Sequence, residues 1–170
     1  MLHRLTPADA PAYRALMLRA YADASDAFTS TVAEREGLPL DWWERRVSGA
    51  PDATELVVGA VDGARLMGAA GLRFERRPRT RHKALLYGLY VDAEARGHGL
   101  ARALTEAVLR RARQSPETRV LRLTVMETNR RAQRLYASLG FEVFGTEPLA
   151  IRREDGFEAV VHMWRPVEPE

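Results

Sequence analysis

Near the middle of the chain, an apolar run of strand length leads through a glycine-containing loop into an amphipathic helix. The run is Ala84 to Val91, and the loop that follows, Asp92 to Gly99, contains two glycines. Leu100, Leu104 and Val108 then recur at helical spacing. A helix that follows a strand so closely buries its apolar face against a sheet, so this unit predicts a mixed α/β architecture.

The sequence on either side of this unit predicts further strands and helices. Toward the N-terminus the patterns predict a strand at Leu2 to Leu5, a helix beginning at Thr6, a helix at Leu40 to Val47, and a hairpin of Leu56 to Val61 with Arg65 to Phe74. Toward the C-terminus they predict a strand at Val120 to Val125, a helix from Asn129 that ends at Gly140, and a hairpin of Val143 to Ile151 with Phe157 to Trp164. This order is α/β (α+β) and not doubly wound.

Length and composition limit the class of protein. With 170 residues, 46% of them hydrophobic, the chain is expected to form a single domain, 1–170, around one core. The absence of cysteine excludes disulfides, thiol nucleophiles and zinc sites built on thiolates. Charged residues interrupt the first 24 positions, and the longest apolar runs fall short of the roughly 20 residues that span a bilayer. We therefore expect a cytoplasmic protein that is not inserted in a membrane.

The loop Arg96-Gly97-His98-Gly99-Leu100-Ala101 has the features of an anion site. Glycines let backbone N–H groups approach an anion closely, and the start of the following helix carries unpaired N–H groups and a partial positive charge. The arrangement suits a diphosphate, and Arg96 adds a cation. The alternative is a tight turn that needs glycine only for its geometry. The third glycine and acidic residue of a dinucleotide site, and the Gly-Lys-Ser/Thr of a nucleotide-triphosphate loop, are missing from the sequence.

Two segments together resemble the GNAT N-acetyltransferase superfamily. Leu89-Tyr90-Val91-Asp92 followed by Arg96 to Ala101 resembles its coenzyme A signature. That signature consists of Gln or Arg, two variable residues, Gly, one variable residue, and Gly or Ala. Its three defined positions are matched by Arg96, Gly99 and Ala101. A second group of residues resembles the second motif of the family: Leu123-Thr124-Val125, Asn129, Ala132, Leu135-Tyr136 and Leu139-Gly140-Phe141. The resemblance covers roughly a third of the chain, with both motifs in family order.

The resemblance implies a fold, a cosubstrate and a reaction. The fold is a mainly antiparallel central sheet with flanking helices, splayed between the strand ending at Val91 and the strand Val120 to Val125. Acetyl-CoA lies in that gap, and a bound primary amine of a small molecule or peptide attacks its thioester directly, without a metal. The residues implied to bind acetyl-CoA are Leu89, Tyr90, Val91, Arg96, Gly97, His98, Gly99, Leu100, Ala101 and Asn129.

Tyr136 matches the tyrosine that protonates the departing thiolate in this family, although without the motif it would be read as part of an apolar helix stripe. The general base is left open, because the positions that often hold glutamate are Leu85 and Thr124. Neither accepts a proton usefully. The remaining candidates are a water chain or one of Glu127, Glu75, Glu34 and His162.

Phe28, Ser30 and Glu34 resemble a subgroup pattern in the region that shapes the acceptor site, although a residue such as Phe28 more often packs in a core or lid. The basic run Arg76 to Lys83 lacks interleaved aromatics, so we expect a solvated hairpin tip and no nucleic acid as partner. The net charge of +3 favours anionic partners only weakly. An inactive acyl-CoA-binding sensor and a basic nucleic-acid adaptor stay as alternative functions, and a homodimer is possible.

Overall fold

The computed structural model describes residues 1–50 and 53–168, and within them seven strands form one sheet. The strands are β1 (Leu2–Arg4), β2 (Glu55–Asp62), β3 (Arg65–Phe74), β4 (Lys83–Val91), β5 (Val120–Met126), β6 (Glu142–Arg153) and β7 (Gly156–Pro166). The helices are α1 (Ala10–Asp23), α2 (Val32–Glu36), α3 (Leu40–Arg46), α4 (Leu100–Arg113) and α5 (Arg130–Ser138). In this part of the chain no helix is long and apolar enough to cross a membrane.

The sheet has the order β1-β2-β3-β4-β5-β7-β6, and every neighbouring pair is antiparallel except β4 and β5. These two parallel strands pair only where Lys83 to Leu85 faces Val120 to Arg122. Beyond Leu85 they separate, which confirms the predicted splay. The α/β (α+β) architecture with a mainly antiparallel sheet is confirmed as well.

A β-bulge lies in β4 just past the point of separation. Gly71 of β3 faces Tyr87 of β4, and Ala69 of β3 faces Tyr90 of β4. The step is two residues along β3 but three along β4, so β4 holds one extra residue. Gly88 lies between these pairs with a φ of +62°, a left-handed backbone conformation that residues other than glycine rarely adopt without strain. The bulge redirects the end of β4 away from β5 and toward the loop that follows.

Two apolar cores lie on opposite faces of the sheet, as alternate side chains of β2 show. Val58 belongs to the core that includes α4 and α5, whereas Val57 belongs to the core that includes α1 and α3. The predicted apolar face of α1 is confirmed, since Tyr13, Leu16 and Met17 are buried. The open end of the splay therefore has helices on both sides.

The sequence patterns did not predict α2. The connection from Phe28 to Leu40 contains this five-residue helix, which buries none of its own residues and so shows no apolar periodicity. It is held at its start by a capping box, in which the Glu34 carboxylate accepts a 2.7 Å hydrogen bond from the Thr31 N–H and the Thr31 hydroxyl accepts one from the Glu34 N–H.

Candidate active site

A cleft of about 690 Å³ lies where β4 and β5 diverge. Its wall includes most of the residues that the sequence assigned to acetyl-CoA, namely Leu89, Tyr90, Val91, Arg96, Gly97, Gly99, Leu100, Ala101 and Asn129. His98 is exposed and lies outside the wall. The fold thus brings the loop, the end of β4 and the start of α5 to one cleft.

The glycine loop has the backbone conformation that an anion site requires. Gly97 and Gly99 have φ values of +87° and +75°, and Gly99 is the N-cap residue of α4. A Cβ atom at Gly99 would meet nothing within 4 Å, so glycine is needed there for its φ angle and for access to the backbone. The first N–H groups of α4 have no acceptor within the helix, and the residues that carry them, Leu100 to Arg102, line the cleft.

The charge of the cleft is mostly positive. Arg96, Arg102, Arg130 and Arg131 line it, together with the single carboxylate of Asp26 among its described lining residues. A low-dielectric cleft with this excess of cations attracts polyanions. These side chains and the helix start together suit the phosphates of a coenzyme.

A second, smaller chamber of about 310 Å³ adjoins the cleft. The two cavities share five wall residues: Ala27, Phe28, Leu89, Asn129 and Ala132. Phe28 is held there by ring contacts with Tyr21, at 5.4 Å between centroids, and with Tyr90, at 6.4 Å. A molecule in the chamber would therefore meet one in the cleft across a short boundary near Phe28 and Leu89.

Tyr136 lies in the wall of this chamber and is 6% exposed. Burial raises the pKa of its phenol well above the ordinary value of 10, so the hydroxyl stays protonated at neutral pH. Asn129, two turns earlier, caps α5 by accepting a 3.1 Å hydrogen bond from the Ala132 N–H, and it lines both cavities. The end of α5 thus brings a proton donor to the chamber.

Residues 17–141 match the model of the acetyltransferase (GNAT) family. This chain belongs to the GNAT acetyltransferase family. The matched residues contain the cleft loop, β4, β5 and α5, so the family match and the geometry concern the same site.

Individual relatives agree with this assignment. An L-amino acid N-acetyltransferase, AaaT, from Escherichia coli (strain K12) is 30% identical over 104 residues, which cover 61% of this chain and 62% of that protein. The match thus spans less than two thirds of the curated relative.

Solved structures share the fold over nearly the whole chain. An acetyltransferase of the GNAT family from Streptococcus pneumoniae has a TM-score of 0.87 at 21% identity and covers 98% of both chains. A phosphinothricin acetyltransferase from Sinorhizobium meliloti, in complex with acetyl-CoA, has a TM-score of 0.81 at 20% identity and covers 99% of this chain and 88% of that one.

In this GNAT protein the two positions that often hold glutamate, Leu85 and Thr124, do lie in the chamber wall. The four side chains considered as substitutes lie outside the wall. Glu75 is 3.6 Å from Arg122, His162 is 3.1 Å from Glu147, Glu34 caps α2, and Glu127 is exposed. The structure therefore does not bring any of these four groups to the chamber.

The chamber wall contains only some of the residues that the sequence assigned to the acceptor. Phe28 and Ser30 line the chamber, but Glu34 does not, because its carboxylate is bonded to the start of α2. The sequence reasoning missed the arginines of the wall, Arg35, Arg46 and Arg73. The Thr31-x-x-Glu34 capping pattern was the available signal for the helix that carries Arg35.

Proposed function

We propose that this protein transfers the acetyl group of acetyl-CoA to a primary amine of a small molecule or peptide by direct attack. The observation that carries the proposal is the meeting of two cavities at the splayed end of β4, with a protonated phenol, Tyr136, in the wall of the smaller one. Membership of the GNAT family supports the reaction, and the acetyl-CoA in the S. meliloti structure supports the donor.

The cleft residues would hold the donor. The loop from Arg96 to Ala101 presents backbone N–H groups and the start of α4 to the diphosphate. The end of β4, which has no strand partner on this side beyond Leu85, offers backbone groups to the pantetheine arm and a polarising N–H near Val91. Holding donor and amine on two sides of one boundary supplies the orientation that such a transfer needs.

The chain then handles two protons. The attacking amine must be neutral, and it loses its proton to water, since no carboxylate lines the described part of the chamber. The departing thiolate takes a proton from Tyr136, which as a phenol is protonated at neutral pH. The proton that the attacking nitrogen must still lose then passes through water to the Tyr136 phenolate and restores the phenol. Burial, which raises the pKa of Tyr136, favours this return. A donor that acts only on the developing thiolate accelerates the step without strengthening substrate binding.

A second function, an inactive acyl-CoA-binding sensor, is favoured by one observation, the lack of a carboxylate at Leu85 and Thr124. A thiol-release assay separates the two. The purified protein is mixed with acetyl-CoA and a panel of amines that includes amino acids, polyamines, aminoglycosides and peptide amino ends. Release of free thiol that depends on an added amine supports the transferase. Binding of acetyl-CoA without release on any amine supports the sensor.

A further inference from the structure

The wall of the acceptor chamber is unusually cationic. Arg35, Arg46 and Arg73 all line it, and its described lining residues include no aspartate or glutamate. Three guanidinium groups around about 310 Å³ of space create a positive potential, to which the half-exposed Arg73 contributes least because solvent screens its charge. Such a chamber disfavours an acceptor that carries further positive charges.

Two of these arginines share one carboxylate outside the wall. Glu55 lies 3.2 Å from Arg73 Nε and 3.8 Å from Arg46 Nη2, and it accepts a 2.7 Å hydrogen bond from the Tyr87 hydroxyl. One negative charge therefore serves two cations. The local sum of these three groups is positive before Arg35 is counted.

Arg35 has no carboxylate within ion-pair distance among residues 1–50 and 53–168. Its Nη2 donates a 2.9 Å hydrogen bond to the Ser30 hydroxyl, and its Nε is buried without a hydrogen-bond partner. The guanidinium lies 4.8 Å from the centroid of the Trp42 ring, and Arg46 lies 4.6 Å from the same ring. Arg35 is thus held in place by neutral groups, and its guanidinium touches no carboxylate of the described residues. A buried donor without a partner is costly unless a ligand satisfies it.

Glu34 interacts with Arg35 only weakly: hydrogen bonds from Thr31 are the main cause that lowers the pKa of Glu34, and the charge of Arg35 is the smallest. Glu34, the next residue along α2, is exposed and its carboxylate is engaged by the Thr31 N–H at 2.7 Å. The combination of a fixed, planar, unpaired guanidinium and two further cations matches a ligand with an oxyanion, because the guanidinium fork fits a carboxylate or phosphonate in two-point geometry.

We propose that the acceptor is a small amine that carries a carboxylate or a similar oxyanion next to the amine, as an α-amino acid does, and that Arg35 binds this anionic group. The inference rests on the proposed acetyl transfer and names its substrate class. The volume of the chamber, about 310 Å³, lies at the lower end for small-molecule pockets, which favours a free amino acid over a peptide. The same cations lower the pKa of a nearby ammonium group, which helps to supply the neutral amine where no carboxylate base is present.

The test compares acid and amide pairs. Steady-state kcat/KM is measured for L-amino acids and for their primary amides, with an aminophosphonate and spermidine alongside. The amides have the more readily deprotonated amine, so a preference for the acids runs against intrinsic reactivity. We expect the acids to be preferred at least 10-fold and spermidine to be a poor substrate. The aminophosphonate distinguishes general oxyanion binding from selection of a planar carboxylate.

The variants Arg35→Gln and Arg35→Lys test whether Arg35 is the residue that binds the anionic group of the acceptor. Loss of a charge-assisted hydrogen bond predicts a decrease of about 10- to 100-fold in kcat/KM for the acids, mainly through KM, with a smaller decrease in the Lys variant. The amides should change little, and the thermal shift with acetyl-CoA should be unchanged. Arg45→Gln is the matched control, because Arg45 is exposed, pairs with Asp41 and does not line the chamber.

The outcomes separate this inference from the proposed function. Turnover of amides or spermidine in preference to acids, or equal losses for acids and amides in Arg35→Gln, overturns the inference while acetyl transfer stands. If no amine is acetylated, calorimetric binding of the amino acids in the presence of coenzyme A decides. Binding that Arg35→Gln abolishes sustains the anionic site although the transferase proposal has failed. No binding overturns both.

Discussion

Arg96 donates a 3.0 Å hydrogen bond from its Nε to the backbone carbonyl of Val91, the last residue of β4. The guanidinium also lies 5.6 Å from the centroid of the Tyr90 ring. The bond therefore ties the glycine loop to the splayed strand end and restrains the side chain of Arg96, a residue of the cleft wall. If Arg96 binds a phosphate, as we propose, this restraint lowers the entropic cost of binding.

We predict that Arg96→Ala weakens acetyl-CoA binding on the order of 10-fold, because both the cation and the tie to Val91 are lost. Arg96→Lys should recover only part of the affinity, since an ammonium group cannot bond the carbonyl and the phosphate in the same planar geometry. Isothermal titration calorimetry measures both. Arg79→Ala, an exposed position outside the cleft, is the control. Equal affinities in the wild type and Arg96→Ala would remove Arg96 from the site.

The glycine loop can be tested with two glycines of similar conformation. Gly99 has a φ of +75° in the cleft, and Gly63 has a φ of +58° in the turn between β2 and β3. Neither position has atoms within 4 Å of an added Cβ, so Val at either site meets a similar backbone penalty, on the order of 1–2 kcal/mol. We expect both variants to melt at lower temperature, but only Gly99→Val to lose the rise in melting temperature with acetyl-CoA. A normal ligand-induced rise in Gly99→Val would refute the diphosphate site.

The sequence predicted the parts of this molecule that have local signals. The strand, loop and helix around Gly99 have glycines and apolar spacing that are visible within about 20 residues, and the resemblance added the splay. The chamber has no such signal. Arg35, Arg46 and Arg73 come from α2, α3 and β3, and only the folded sheet brings them together. The helix α2 was not predicted, because a helix without buried residues shows no apolar periodicity. Its capping box was the only sequence signal of a helix there.

A pH dependence of stability follows from Asp9 at the entry to α1. Its carboxylate accepts hydrogen bonds from the Thr6 N–H at 2.8 Å and the Thr6 hydroxyl at 2.9 Å, and the backbone bond holds the pKa of Asp9 below its ordinary value of 3.8. Since the folded pKa is depressed, this stabilisation is present above the unfolded pKa and is lost as pH falls through the folded pKa.

We predict that Asp9→Asn lowers the free energy of unfolding at pH 7 by about 1 kcal/mol or less, the range of a helix-cap interaction. The difference from wild type should shrink as the pH falls below about 4, where Asp9 of the unfolded chain becomes protonated, and vanish once the folded carboxyl is protonated as well. Urea unfolding at several pH values measures it. Asp155→Asn, in the exposed turn between β6 and β7, is the control and should leave the curve unchanged. A difference that is independent of pH would show that the charge of Asp9 is not involved.

Variants of Asn129 can distinguish helix capping from ligand binding, because this residue both caps α5 and lines the two cavities. Asn129→Ala removes the acceptor of the Ala132 N–H and should lower the free energy of unfolding by about 1 kcal/mol. Asn129→Asp keeps a capping oxygen but adds a negative charge to the wall of both cavities. We expect that variant to retain its stability and to bind acetyl-CoA more weakly. Unchanged affinity in Asn129→Asp would show that the donor lies away from α5.

The last prediction concerns Tyr136, whose hydroxyl distinguishes a catalyst from a protein that only binds acyl-CoA. The ring packs at 5.8 Å from the Phe141 ring and contributes to the core, so Tyr136→Phe keeps the apolar contacts. We expect the melting temperature and the affinity for acetyl-CoA to be close to those of the wild type. In the proposed mechanism the hydroxyl donates a proton only as the thiolate departs, and as a phenol it is protonated at neutral pH before that step.

Tyr136→Phe should therefore lower kcat on the order of 10²- to 10⁴-fold, the usual contribution of a positioned general acid, while KM changes little. Steady-state kinetics on the best amine of the panel measures this, and single-turnover experiments establish that chemistry limits the rate. If the variant keeps most of its activity under that condition, water or another group protonates the thiolate, and the buried phenol acts only in packing against Phe141.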